Sequence, residues 1–232
     1  MRKITVVTVC LEDFFYVGSH YYGFNQLAPH FDVIDWICVL SGDFKSGDFF
    51  ARRIRKDGVY VNCSLIHREP NGIYDAMNKG LDYIDTGFIM FLNPKDCLLK
   101  MLDFAYAPIN IGFYRTVDSE LVFLGKRPDN TICHQALIMN VTLLKEYLYF
   151  DTELQIYSDQ LAFHESSKRY RPKVSNFLVH FDVGGVSSKQ SFIKFLDWLR
   201  LFWKTDFSNK KRLVIGQLRK KIGFSHTAIC KD

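Results

Sequence analysis

The chain has 232 residues, 48% of them hydrophobic and 16% aromatic, which is enough to bury one sizeable core. Its formal net charge of +5 is uneven: the stretch from Lys189 to Lys221 holds ten Lys/Arg against two Asp/Glu, while the rest is mildly acidic. No run is long and apolar enough to span a bilayer, and the six scattered cysteines form no Cys-x-x-Cys pair, so they read as reduced structural thiols rather than a zinc site or a disulfide frame.

Met1-Arg-Lys leads straight into the β-branched run Lys3 to Val9, a first strand with no signal-peptide pattern before it. Leu11 to Gly18 is aromatic, and Ser19 to Gln26 shows no clear helical spacing. Val33 to Leu40 reads as a second strand, followed by the Gly/Ser/Asp-rich loop Leu40 to Asp48. Phe49 to Lys56 is expected to be a short basic helix, and Val59 to Ile66 a third strand.

Glu69-Pro-Asn-Gly72 has turn chemistry, because Pro presets φ and Asn-Gly tolerates positive φ. Ile73, Ala76, Met77, Leu81 and Ile84 then recur at helical spacing, with Asp75, Asn78, Lys79 and Asp82 on the other face. Phe88 to Leu92 is a continuous apolar run, as in a strand covered on both faces. It stops at Asn93-Pro-Lys-Asp96, where polar residues at the carboxyl end of a buried strand mark the ligand edge of an open sheet. A plain type I turn satisfies the same four residues.

Two strand-like runs between Ile109 and Leu124 suggest a hairpin around Val117 to Glu120. Val141 to Tyr149 reads as a helix, and Ser158-Asp159 has N-cap chemistry for the helix after it. Val174 to Phe181 is a strand, followed by the Gly-Gly segment at Gly184-Gly185.

The run Glu-Pro-Asn-Gly-Ile-Tyr-Asp-Ala-Met-Asn-Lys-Gly from Glu69 to Gly80, followed after a strand by Phe-Leu-Asn-x-x-Asp ending at Asp96, resembles the bacterial family 2 glycosyltransferases of the colanic-acid and O-antigen type. His134-Gln135-Ala136 and Phe181 with Gly184-Gly-Val-Ser187 extend the likeness. The resemblance implies a GT-A fold, a three-layer α/β sandwich with a mainly parallel, mixed sheet, over residues 1–188. A basic helical tail over residues 189–232 would follow.

The same resemblance implies an inverting transfer of sugar from a nucleotide sugar (UDP- or GDP-linked) to a lipid-linked saccharide acceptor in surface polysaccharide synthesis. Asp159 would be the general base that deprotonates the acceptor hydroxyl; helix capping is the alternative, and one carboxylate could do both. Thr8, Asp75, Asn78, Lys79 and Asn93 would face the nucleotide sugar. His134, Gln135, Gly185 and Ser187 would serve the acceptor and the diphosphate. Mg²⁺ or Mn²⁺ would sit on Asp96 and the donor diphosphate, with His180 a further candidate ligand.

The segment from Leu40 to Asp48 aligns with the family's base-binding turn in two ways. Without a gap Leu40 replaces the base-binding carboxylate; with three inserted residues Asp43, Ser46 and Asp48 restore it. Lys95 also departs from the family pattern.

Ser191 to Lys204 has its polar residues at 194, 197, 200 and 204, one narrow stripe on an apolar, aromatic helix. It is either an interfacial helix on an anionic leaflet or a terminal helix docked by its apolar face. The resemblance implies the former: a cytoplasmic protein, peripheral on the inner face of the membrane, with no nucleic-acid partner. A non-catalytic glycosyltransferase-like protein that binds a nucleotide sugar or a partner transferase is the rival reading. A nucleotidyltransferase is disfavoured, because no Gly-rich, basic loop stands near the N-terminus.

Overall fold

The computed structural model describes residues 1–11, 20–41, 50–56, 59–68, 71–116, 121–126, 132–182 and 191–205. Lys3–Leu11 form strand β1, whose two-residue period divides its side chains between two cores. Ile4, Val6 and Cys10 join one core, and Val7 joins the other. The first is covered by α1 (His20–Leu27). The second is covered by α2 (Ile73–Asp82), α3 (Val141–Leu148) and α4 (Ser158–Arg169). Helices on both faces of one sheet make the three layers that the resemblance implies.

The remaining strands are β2 (Val33–Ser41), β3 (Phe50–Lys56), β4 (Val59–Arg68), β5 (Phe88–Phe91), β6 (Cys97–Met101), β7 (Ile109–Thr116), β8 (Phe123–Leu124), β9 (Leu137–Asn140) and β10 (Lys173–Phe181). They run in the order β3-β4-β2-β1-β5-β9-β7-β10-β6, with β8 paired to β7. The block β4-β2-β1-β5 is parallel, as is the pair β7 and β10. The other pairs are antiparallel, so the sheet is mixed. In the parallel block all carboxyl ends reach one edge, and this edge carries the polar turn after β5.

Most elements lie where periodicity places them, including the hairpin of β7 and β8 and a final helix α5 (Ser191–Lys204). Two expectations are corrected. Residues 50–56 form an edge strand, not a helix, pairing antiparallel with β4 down to Lys56 opposite Val59. In so short a stretch, pairing with β4 outweighs helical spacing. Its Arg- and Lys-rich composition suits an exposed sheet edge, where charge opposes edge-to-edge pairing.

Residues 20–27 form a helix although no apolar pattern announced one. Its buried residues are His20, Gly23, Phe24 and Leu27, spaced i, i+3, i+4, i+7. Two members of that stripe, a His and a Gly, are not counted as apolar.

Helix α2 lies very close to the sheet. A Cβ on Gly80 would stand 2.6 Å from Val7 Cγ1, so only glycine permits this approach. Cys10, Cys38, Cys63, Cys97 and Cys133 are buried and form no disulfide with one another.

Candidate active site

The turn after β5 is closed by its own acid. The Asp96 amide donates to the Asn93 carbonyl at 3.0 Å, and Asp96 Oδ2 accepts the Asn93 amide at 3.0 Å. Oδ1 accepts the Asp182 amide at 3.0 Å, tying this turn to the end of β10. Asp96 is 1% exposed, and burial pushes its carboxyl up to about 6. The two amides, His134 and Gln135 favour the ionised form and hold the rise in check.

The second acid lies in the first turn of α4. Asp159 is 8% exposed, and three donors surround it. Oδ2 is 2.9 Å from His134 Nδ1; Oδ1 accepts the Gln160 amide at 2.8 Å and lies 3.2 Å from the Tyr74 hydroxyl. That hydroxyl donates mainly to the Ile156 carbonyl, at 2.6 Å. Burial, then the nearby Asp159 charge, raises the Tyr74 phenol well above its ordinary value and keeps it a donor.

His134 comes from the 3₁₀ turn His134–Ala136 ahead of β9. With Nδ1 facing a carboxylate, the proton is assigned to Nδ1. Nε2 is then an acceptor, buried and without a hydrogen-bond partner among the described residues. Gln160 fixes the geometry from both sides. Its Oε1 accepts the Ile132 amide at 2.6 Å and its Nε2 donates to the Ile132 carbonyl at 2.7 Å, holding the segment that carries His134. A carboxylate and an imidazole so held can accept a proton from a bound hydroxyl.

The N-cap expectation is corrected. Tyr157 occupies the cap position and makes no side-chain cap bond, while Ser158 is buried with a hydroxyl that has no hydrogen-bond partner among the described residues. Asp159 stands inside the helix, so its second oxygen is left for His134.

The structure brings His134 into contact with Asp159, and His134 and Gln135 close enough to Asp96 to bear on its ionisation. Gln135 is 1% exposed; its carbonyl oxygen lies 3.2 Å from Cys133 Sγ, and its amide nitrogen has no hydrogen-bond partner among the described residues. Thr8 is fully buried and its hydroxyl accepts Trp36 Nε1 at 3.1 Å. Asn93 contributes its carbonyl to His20 Nε2 at 3.1 Å. His180, half-buried, pairs in register with Cys97, next to Asp96.

Asn78 and Lys79 do not join the cluster. Asn78 donates to the Phe150 carbonyl at 2.8 Å and accepts the Phe150 amide at 2.7 Å, a clamp between α2 and the chain after α3. Lys79 pairs with Asp82 at 3.3 Å. Asp75 is half-buried on the same helix. Asp43, Gly185 and Ser187 lie outside the described residues. Among the described residues no group of three or more His, Cys, Asp or Glu gathers in a way that could hold a metal.

Sequence reading passed over Tyr74, Gln160, His20 and Asp197. Tyr74 sits inside the motif of the resemblance, and Asp197 is the single acid in an aromatic and basic helix, so both carried a signal. His20 is buried and held neutral, its imidazole pushed down to about 4 by burial.

Helix α5 is mounted by its polar stripe. Asp197 is 1% exposed, Arg200 donates to the Glu153 carbonyl at 3.1 Å, and Lys204 pairs with Asp151 and, at 2.7 Å, with Glu153. Phe192, Phe195, Leu196 and Trp203 point outward and are exposed. Leu201 is buried and Ile193, Trp198, Leu199 and Phe202 are half-buried, so the helix packs by its polar stripe together with part of its apolar surface.

No family model matches the chain, and no curated protein matches its sequence. Solved structures do match. S. aureus TarS superposes with a TM-score of 0.59 at 15% identity, over 98% of this chain and 44% of that chain. TarS 1-349 in complex with UDP gives 0.60 at 15% identity, and its complex with UDP-GlcNAc 0.59 at 14%, each over 98% of this chain and 74% of that one. The chain therefore spans less than half the length of the longer TarS chain. The likeness extends across nearly the whole chain and shows its architecture: this is the GT-A fold.

Proposed function

We propose that the chain is an inverting glycosyltransferase that moves a sugar from a nucleotide-sugar donor to a lipid-linked saccharide in surface polysaccharide synthesis. The observation that carries this reading is the buried Asp159–His134 pair on a GT-A fold whose solved neighbours hold UDP and UDP-GlcNAc. Asp159 takes the proton as the acceptor oxygen attacks the anomeric carbon. The bond to the donor diphosphate breaks with its electron pair leaving on the nucleotide, and a single displacement inverts the anomeric centre. His134, at 2.9 Å, stabilises the carboxylate in the geometry needed for this transfer. Gln135, Gly185 and Ser187 are assigned to the acceptor and diphosphate side, and Asn93 and Asp43 to the nucleotide side.

Mg²⁺ or Mn²⁺ belongs to the same proposal. Asp96 is a hard carboxylate oxygen donor held between the turn after β5 and the end of β10, the chemistry that suits a cation which would share the donor diphosphate. His180 is the second candidate ligand. When bound, the cation would neutralise charge on the departing diphosphate.

Contact with an anionic membrane surface is also proposed. The outward aromatic face of α5 and the basic excess of its segment support it. Among the described residues no helix is long and apolar enough to cross a membrane.

A non-catalytic, nucleotide-sugar-binding role is the second reading, favoured by the burial of Asp96 and by Lys95 beside it. Thermal shift against UDP- and GDP-sugars, with and without Mn²⁺, tests the donor site, since a ligand of the folded state raises its melting temperature. The expected result is a metal-dependent rise with one nucleotide class. Asp159→Asn should keep that rise and lose transfer to membrane-extracted acceptor. No rise with any donor would remove the proposal.

A further inference from the structure

We infer that Asp197 on α5 is a positioning residue for the acceptor base, a role that rests on the proposed function of Asp159. Three consecutive backbone amides converge on this one carboxylate. Oδ1 accepts from Gln155 at 2.9 Å; Oδ2 accepts from Ile156 at 2.8 Å and from Tyr157 at 3.0 Å. Successive amides turned to one point form an anion-binding concavity, and here a side chain from 40 residues downstream supplies the anion. The carboxylate is 1% exposed, so its charge acts with little screening from water.

The three amides belong to the segment that enters α4. Tyr157 is the N-cap residue of that helix, and Asp159 lies two residues beyond it. The Ile156 carbonyl accepts the Tyr74 hydroxyl at 2.6 Å, and that hydroxyl stands 3.2 Å from Asp159 Oδ1. The Asp197 charge also contributes to raising the Tyr74 phenol. Asp197 therefore sets the position of Ile156, Ile156 sets the Tyr74 hydroxyl, and Tyr74 and the first turn of α4 set Asp159. Arg200 and Lys204 tether the same helix to Asp151 and Glu153 independently. Loss of the Asp197 carboxylate thus disturbs the entry to α4 more than the attachment of α5.

The test uses the full chain, labelled with ¹⁵N-histidine, in wild type, Asp197→Asn and Asp159→Asn. The downfield Nδ1–H resonance of His134 reports its hydrogen bond to Asp159 directly and needs no substrate. Asp197→Asn is expected to move that resonance in the direction that Asp159→Asn moves it, and to speed its exchange with water. In nucleotide release from the donor that gives the thermal shift, kcat is expected to fall roughly tenfold with donor KM held within about twofold, the pattern of a lost transition-state interaction. Asp197→Glu keeps the charge on a longer arm; it should give a smaller shift of the same sign, and it replaces the Asn variant should that fail to fold. A folded Asp197→Asn protein with an unmoved His134 resonance would overturn the inference. Failure of the transferase reading is recognised separately, as absence of nucleotide release from wild type while the resonance test still stands.

Discussion

Replacing Tyr74 by Phe removes one oxygen and little else. The ring is 6% exposed and stacks on Phe150 with centroids 5.2 Å apart and planes 28° from parallel, contacts that Phe keeps. The hydroxyl donates to the Ile156 carbonyl at 2.6 Å, and its loss leaves that acceptor facing an apolar ring edge. A stranded acceptor costs about 1–3 kcal/mol. In a chain of this size each kcal/mol lowers the melting temperature by roughly 2–4 °C, so calorimetry should show a fall of about 2–12 °C. Asp159 loses the donor at 3.2 Å but keeps Gln160 and His134, so the base is loosened rather than released. A fall in kcat of about tenfold corresponds to ~1.4 kcal/mol of barrier, in the range of one hydrogen bond. An unchanged melting temperature would show that the hydroxyl bond does not hold the α4 entry. A lowered melting temperature with unchanged kcat would refute its role in placing Asp159.

Further outcomes are expected. His20 is held down to about 4 from an ordinary 6.5, so its stabilising effect is complete above pH 6.5 and is lost as pH falls towards 4. The difference in unfolding free energy between wild type and His20→Gln should therefore shift against wild type by about 3 kcal/mol over that window in urea titrations, and a pH-independent difference would refute the buried neutral imidazole. Asp96, raised to about 6, works in the opposite sense, losing its stabilising effect as pH climbs from near 4 through 6, so wild type itself should look flatter than either group alone would make it. Phe195→Ser combined with Trp203→Ser, both on the exposed face of α5, should cut co-sedimentation with phosphatidylglycerol vesicles several-fold, and raised salt should weaken binding further. Wild type that stays in the supernatant would end the membrane proposal.

The residues alone determined much of the parallel block. β1, β2, β4, α2 and β5 were legible because their signals are local: β-branched runs, one helical stripe, and an abrupt polar stop after Leu92. The resemblance brought Asp159, His134 and Asp96 to notice, but not what each touches. Pairing across space was hidden. His134 meets Asp159 from 25 residues away, Gln160 clamps Ile132 from 28, and Asp197 gathers three amides from about 40. Such contacts depend on which chain ends the sheet brings to one edge, and no period encodes that. Phe50–Lys56 became a strand because β4 offered a free edge, a property of the partner and not of the segment. His20 and Gly23 line the buried stripe of α1 because Trp36 and Leu98 wait against it, so the burial comes from the neighbours. The orientation of α5 was open for the same reason. A helix with a polar stripe and an aromatic face can be mounted by either, and only a ring of backbone amides near α4, awaiting an anion, turned its carboxylate inward and left Phe192, Phe195 and Trp203 exposed.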